Sequence, residues 1–138
     1  MSFAPYHRGS HVTYLTQYYI IWCPKFRFSV LTPQRRIFLE SILRDICKDK
    51  GYVVKALEIM PDHIHLFVDI PYTVSPAAAV RTLKSISARK HLEVFPDLRA
   101  FYRRRKVLWS RGTFVSSVGI VSEETVKQYI NSQWERKQ

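Results

Sequence analysis

One run of eight residues limits the possible folds more than any other: His63-Ile64-His65-Leu66-Phe67-Val68-Asp69-Ile70, set between Pro61-Asp62 and Pro71. Successive side chains of a strand point to opposite faces. Ile64, Leu66, Val68 and Ile70 therefore form one face that has to be buried in a core, and His63, His65, Phe67 and Asp69 share the other. A slip of one residue would drive two imidazoles and a carboxylate into that core, so the register of this strand is fixed by its own pattern.

The flanking sequence supplies the rest of a sheet and its cover. Residues 12–23 are rich in Tyr, Ile, Thr and Trp, which favour strands, and Pro24 stops them. Pro33–Lys50 reads as a helix. Leu39, Ile42, Leu43 and Ile46 make one apolar stripe, Thr32 is the N-cap with Pro33 at N1, and Gly51 is the residue past the end. Residues 52–60 read as a strand, Pro61-Asp62 as a turn and residues 63–70 as the next strand. Ser75 caps a second helix running from Pro76 to Val94, with Val80, Leu83, Ile86 and Ala79 facing the core. Residues 107–110 and 113–118 are further strand candidates. Ser122, followed by Glu123 and Glu124, opens a final helix. The first ten residues read as a loose arm.

The order β-α-β-β-α-β-(β)-α predicts an α+β, ferredoxin-like or RRM-like domain: an antiparallel sheet with helices on one face, plus an extra C-terminal helix over residues 122–138. With no linker in its 138 residues, the chain is expected to be a single domain, 1–138. Hydrophobic residues at 46% suffice for one core and exclude a disordered tail.

Lys and Arg number 22 against 11 Asp and Glu, a formal charge of +11. Self-repulsion makes such an excess costly, and a polyanionic partner explains it, nucleic acid first, because neutralising phosphates releases counterions. The two cysteines, Cys23 and Cys47, cannot build a disulfide framework. No apolar run approaches a membrane span and no leader pattern is present, so a cytoplasmic protein with no membrane partner is expected.

Three groups of residues can carry chemistry. His63 and His65 lie about 6.6 Å apart along one strand face, a spacing at which two imidazoles can converge on one divalent cation. The same motif also describes two half-exposed histidines on a solvated sheet. Tyr129 and Gln133 are one helical turn apart beside the apolar pair Val126 and Ile130. Tyr can act as a nucleophile and Gln can offer a neutral oxygen to a metal, although an aromatic at such a position is often ordinary packing. Residues 98–111 interleave Arg99, Arg103, Arg104, Arg105, Lys106 and Arg111 with Phe101, Tyr102 and Trp109; Lys25-Phe26-Arg27-Phe28 does the same on a smaller scale. Cations track phosphates and aromatic rings stack unpaired bases. No helix-turn-helix or zinc finger is present, which favours single strands or hairpins over duplex. Arg81 and Lys84 on the second helix add to the basic surface. Asp62 and Asp69 are candidates to orient the histidines, and His91 is read as a surface residue late in its helix. These features leave open a binding module that holds single strands without cutting them, and a replication-initiator or relaxase-type nickase.

Met60-Pro61-Asp62-His63-Ile64-His65-Leu66-Phe67-Val68 resembles the His-hydrophobic-His signature of the single-tyrosine HUH transposases, the TnpA type of the small insertion sequences and their repeat-associated relatives. Ile21-Trp22-Cys23-Pro24-Lys25-Phe26-Arg27 is similar to the family's first strand and basic turn. Leu108-Trp109-Ser110-Arg111-Gly112-Thr113-Phe114 is similar to another of its blocks, with Thr113 standing where relatives often carry an aromatic. Val126-Lys127-Gln128-Tyr129-Ile130-Asn131-Ser132-Gln133 is similar to its catalytic helix. The resemblance spans roughly residues 12–133. It implies metal-dependent cleavage and rejoining of single-stranded DNA at insertion-sequence ends. His63, His65 and Gln133 would be ligands to Mg²⁺ or Mn²⁺, and Tyr129 the nucleophile that forms a 5′-phosphotyrosine link. It implies hairpins at element ends as partners and a homodimer in which the tyrosine helix can dock in trans. From the basic patterning, DNA contacts are expected at Lys25, Arg27, Arg81, Lys84, Arg103, Arg104, Arg105, Lys106 and Arg111.

Overall fold

A computed structural model describes residues 6–103 and 107–118, and beyond them residues 124, 125, 127, 128 and 131. The elements are β1 (His7–Arg8), β2 (Thr13–Tyr14), β3 (Gln17–Trp22), a 3-10 turn at Lys25–Arg27, α1 (Pro33–Lys50), β4 (Val53–Met60), β5 (His63–Asp69), α2 (Pro76–Val94), α3 (Asp97–Phe101) and β6 (Phe114–Ser117). Glu124, Thr125, Lys127, Gln128 and Asn131 are helical, as expected for the extra C-terminal helix.

Four strands form one antiparallel sheet in the order β4-β5-β3-β6. The strand that carries the histidines is thus central, paired along its length on both edges, with Ile21 opposite His65 on β3 and Glu58 opposite His65 on β4. The order is the ferredoxin-like one that the βαββαβ pattern predicts.

Local chemistry sets the helix limits. The Thr32 hydroxyl accepts from the Arg35 amide, Pro33 occupies the first turn, and Gly51 takes φ 78 to close α1, a left-handed conformation that a side chain would make costly. The Ser75 hydroxyl accepts from the Ala78 amide at 3.1 Å and Pro76 starts α2. Both helices lie on the same side of the sheet. Ile20, Trp22, Leu57, Ile59, Ile64, Leu66 and Val68 from the strands meet Leu39, Leu43 and Ile46 of α1 and Ala79 and Leu83 of α2 in one continuous core.

Three sequence expectations change. Residues 12–23 form two strands instead of one, because the short β1–β2 hairpin uses Thr13 and Tyr14 before β3 begins at Gln17. The arm expected over residues 1–10 is paired from His7 onward, where the imidazole donates to Asp69 at 2.6 Å and stacks on Tyr14. Residues 107–110 make a single bridge, Pro24 with Trp109, not a strand. The Lys25 amide donates to Leu108 at 2.8 Å and the Ser110 amide to Cys23 at 2.9 Å. Pro24 between them has no N–H with which to extend a ladder. Among the described residues no helix is long and apolar enough to cross a membrane.

Candidate active site

The face of β5 opposite the core carries His63, His65, Phe67 and Asp69, all buried. Burial excludes the bland reading of two half-exposed histidines. Phe67 and Val118, with Tyr19 and Ala56 against them, form a second, small apolar cluster on this side. The His63 and His65 rings are 4.6 Å apart at 79°, edge to face. Tyr19 stacks on His65 with ring planes 11° apart, and its hydroxyl lies 2.8 Å from His65 Nδ1.

Asp62 holds the other ring. His63 Nδ1 is 2.6 Å from Asp62 Oδ1. An ionised carboxylate can only accept, so Nδ1 carries the proton, and in the neutral ring the lone pair is then on Nε2. This is the carboxylate–imidazole arrangement that fixes a metal-binding tautomer. Asp62 also accepts from Arg27 Nε at 3.3 Å. Burial, and after it the neighbouring His63, holds the pKa of His65 down to about 4, so this imidazole is neutral at pH 7 and available as a ligand. Two imidazole nitrogens suit a borderline divalent cation such as Mn²⁺ better than Mg²⁺, which prefers oxygen. Among the described residues no three His, Cys, Asp or Glu side chains converge on a cation position. Any further ligand to a metal here comes from beyond the described residues, from another residue type, from substrate or from water. The donor set fits the group the sequence implies.

Asp69 does not orient the histidines. It accepts from His7 and, at 3.3 Å, from Thr16, at the far end of the strand. His91 is not a surface residue: it is fully buried between Phe38 and Phe95, and burial lowers its pKa to about 4. Sequence reasoning also missed Tyr19. Its phase on β3 was readable, but its partner His65 lies 46 positions away.

The basic residues divide into distinct roles. Lys84 is turned inward, donating to the carbonyls of Ser110 (2.7 Å), Arg111 (3.3 Å) and Gly112 (3.4 Å) and to Thr113 Oγ1 (3.0 Å). Burial lowers its pKa. The lysine thus braces the 110–113 loop, Thr113 included. Arg81 and Arg111 line an open cavity of about 650 Å³ between α2 and this loop. Lys25 and Arg103 line a smaller groove with Phe26, Phe28 and Phe101. Trp109 and Tyr102 are core residues: Trp109 Nε1 donates to Ser87 at 3.0 Å, and the Tyr102 hydroxyl, its pKa pushed up to about 12 by burial, donates to the Lys25 carbonyl at 3.1 Å. Tyr129, Gln133, Arg104, Arg105 and Lys106 lie outside the described residues.

Comparison with known proteins agrees with this geometry. The family model described as "Transposase IS200 like" matches residues 12–133. The ISDra2 transposase TnpA of Deinococcus radiodurans is 33% identical over 135 residues, which cover 94% of this chain and 92% of that protein. The transposase for insertion sequence element IS200 of Salmonella typhimurium is 32% identical over 126 residues, 91% of this chain and 82% of that one. A crystal structure of a Deinococcus radiodurans protein described as a transposase superposes with a TM-score of 0.76 at 32% identity, over 92% of this chain and 97% of that one. A REP-associated tyrosine transposase solved with a REP hairpin shares the fold, with a TM-score of 0.66 at 13% identity over 95% of this chain and 74% of that one. A match of this extent, on a chain whose sheet order and paired histidines had already been established, makes it a member of the IS200-like transposase family.

Proposed function

We propose that this transposase cleaves and rejoins single-stranded DNA at insertion-sequence ends by a metal-dependent reaction with Tyr129 as nucleophile. The observation that carries the reading is the buried pair His63 and His65, 4.6 Å apart on a central strand and held in defined orientations by Asp62 and Tyr19. A rigid element with its rings locked by neighbours is what a metal site requires.

In this reading the Tyr129 phenolate attacks the scissile phosphorus. The P–O3′ bond breaks, the 3′-oxygen leaves and takes a proton, and the 5′-phosphate remains esterified to Tyr129. A 3′-hydroxyl from another strand reverses the step, releasing the phenol. The phosphodiester energy is conserved and no nucleotide cofactor is consumed. His63 and His65, with Gln133 as third ligand, would hold Mg²⁺ or Mn²⁺, which when bound polarises the scissile phosphate. Asp62 keeps the proton on His63 Nδ1, so that Nε2 stays a donor atom.

The rest of the proposal extends the family likeness to this chain. Residues 1–138 act as one domain with the tyrosine on a helix over 122–138. Two copies form a homodimer in which that helix can serve the partner's histidines. Hairpins at element ends are the DNA partner, and the reaction takes place in the cytoplasm. A fold relative solved with a hairpin supports the DNA assignment.

The test is a labelled single strand carrying an element end, incubated with protein and Mn²⁺. A denaturant-resistant protein–DNA adduct is expected with the wild-type chain, with none after chelation and none for Tyr129→Phe, which still folds and binds. Normal cleavage by Tyr129→Phe would refute the mechanism.

A further inference from the structure

The 3-10 turn after β3 holds its aromatic side chains in water. Phe26 is 62% exposed, Phe28 45% and, from α3, Phe101 53%. They adjoin one another: Phe26 and Phe28 are 5.7 Å apart, and Phe28 meets Phe101 edge to face at 5.4 Å. Adjacent exposed rings of this size mark an interaction site more often than chance exposure.

The backbone pays to hold them there. Phe26 and Arg27 adopt φ 61 and 54, and Arg103 across the groove adopts 57. Each costs a side-chain-bearing residue on the order of 1 kcal/mol. The turn is pinned where it stands by the Tyr102 hydroxyl on the Lys25 carbonyl and by the Lys25 amide on Leu108.

The groove between these rings has a volume of about 430 Å³, within the usual range for a small-ligand cleft. Among the described residues the charged side chains that line it, Lys25 and Arg103, are cations, and the Lys25 ammonium sits 5.2 Å over the Phe26 ring. Rings for a base flanked by cations for a phosphate are the two halves of a single-strand subsite. Paired bases have no free face to offer it. The same turn also reaches the histidine pair, since Arg27 donates to Asp62 and Asp62 accepts from His63.

We propose that the Phe26–Phe28–Phe101 groove is a stacking subsite for one unpaired base of the DNA strand whose backbone then runs to the histidine pair, with Lys25 and Arg103 on its phosphates. This deepens the reading of the chain as a single-strand transposase and rests on it.

The test uses the full chain carrying Tyr129→Phe, so that binding is read without cleavage. The probes are fluorescein-labelled dT12, the same strand with one abasic site at each position in turn, and a duplex of equal length. Phe28→Ala with Phe101→Ala is expected to weaken dT12 binding about 5- to 150-fold, the range for loss of one stacked base, with the salt dependence unchanged. One abasic position should cost the parent the same factor and the double variant nothing. Phe28→Trp should bind like the parent. Lys25→Ala with Arg103→Ala should instead flatten the salt dependence by about 0.7 per charge. Should the alanine pair not fold, judged by circular dichroism, Phe28→Leu with Phe101→Leu keeps the apolar bulk, removes the rings and carries the same expectation.

Unchanged affinity, equal loss on duplex, or a changed oligomeric state with no abasic-sensitive position would each overturn the groove; the last would make it a contact between copies. A wild-type chain that forms no tyrosine adduct while the abasic cycle holds would sink the transposase chemistry alone. An adduct without the cycle would sink the groove alone.

Discussion

The two faces of β5 are equally buried by different means. On one, Ile64, Leu66 and Val68 are covered by two long helices and belong to the apolar core. On the other, His63 and His65 are enclosed with Phe67 and Tyr19 and oriented by hydrogen bonds to Asp62 and Tyr19. Burial alone therefore does not distinguish a core from a site. What distinguishes these two strand faces is that one of them presents buried imidazoles held in set orientations. The core face is where stability resides, and the histidine face is where buried polarity is tolerated for function.

The largest separation between the faces should come from one substitution on each. His65→Asn is expected to reduce strand cleavage about 1000-fold, the several kcal/mol that metal activation supplies, while changing unfolding free energy far less than its neighbour does. Leu66→Ala, one position along and fully buried, is expected to cost about 2–5 kcal/mol of stability while leaving turnover per folded molecule close to normal. Denaturant titration and adduct yield read the two quantities; the reverse pattern would break the comparison.

Acid should act on both faces through buried histidines. His91, on α2 between Phe38 and Phe95, and His65 on the histidine face both have pKa values lowered to about 4 by burial. Above pH 6.5 each is neutral folded and unfolded, and the full stability is present. Below that the unfolded chain takes up protons that the folded one refuses, so stability falls between pH 6.5 and about 4, by on the order of 3 kcal/mol for His91. His91→Leu should flatten that decline in urea titrations at pH 7 and pH 5. A decline unchanged by the substitution would mean that His91 is not held neutral.

The smallest effect is expected at Asp62, which acts on the site through His63. Asp62→Asn should weaken Mn²⁺ affinity about 10- to 100-fold, measured by calorimetry, with little change in stability. Asp69→Asn, on the same strand face but bonded to His7, should leave metal affinity alone. Equal losses in the two variants would erase the distinction between them.

Much of this was legible in the chain. The limits of α1 and α2 were readable because their signals are local: Thr32 with Pro33, Ser75 with Pro76, and Gly51. The phase of β5 was readable because alternation commits each side chain to a face. The pairing of His63 with His65 followed from the same phase. The role of Trp109 was not readable. Three aromatics lie among the cations of residues 98–111, and only Phe101 is offered to solvent, while Tyr102 and Trp109 are core. Composition cannot tell a stacking ring from a packing ring, since both are apolar and flat. Nor could it show that Lys84 spends its charge on the carbonyls of its own chain.

By itself, the sequence determined every feature whose cause lies within a few residues: the strand phase, the helix caps, the proline stops, the basic charge and the paired histidines. Tertiary structure alone decided which groups meet across long separations: Tyr19 with His65, Asp69 with His7, Lys84 with the 110–113 loop, and Phe28 with Phe101. The physical reason is that local pattern fixes the direction in which a side chain points. What it meets depends on how the sheet and its helices close around a shared core, which no window of sequence contains.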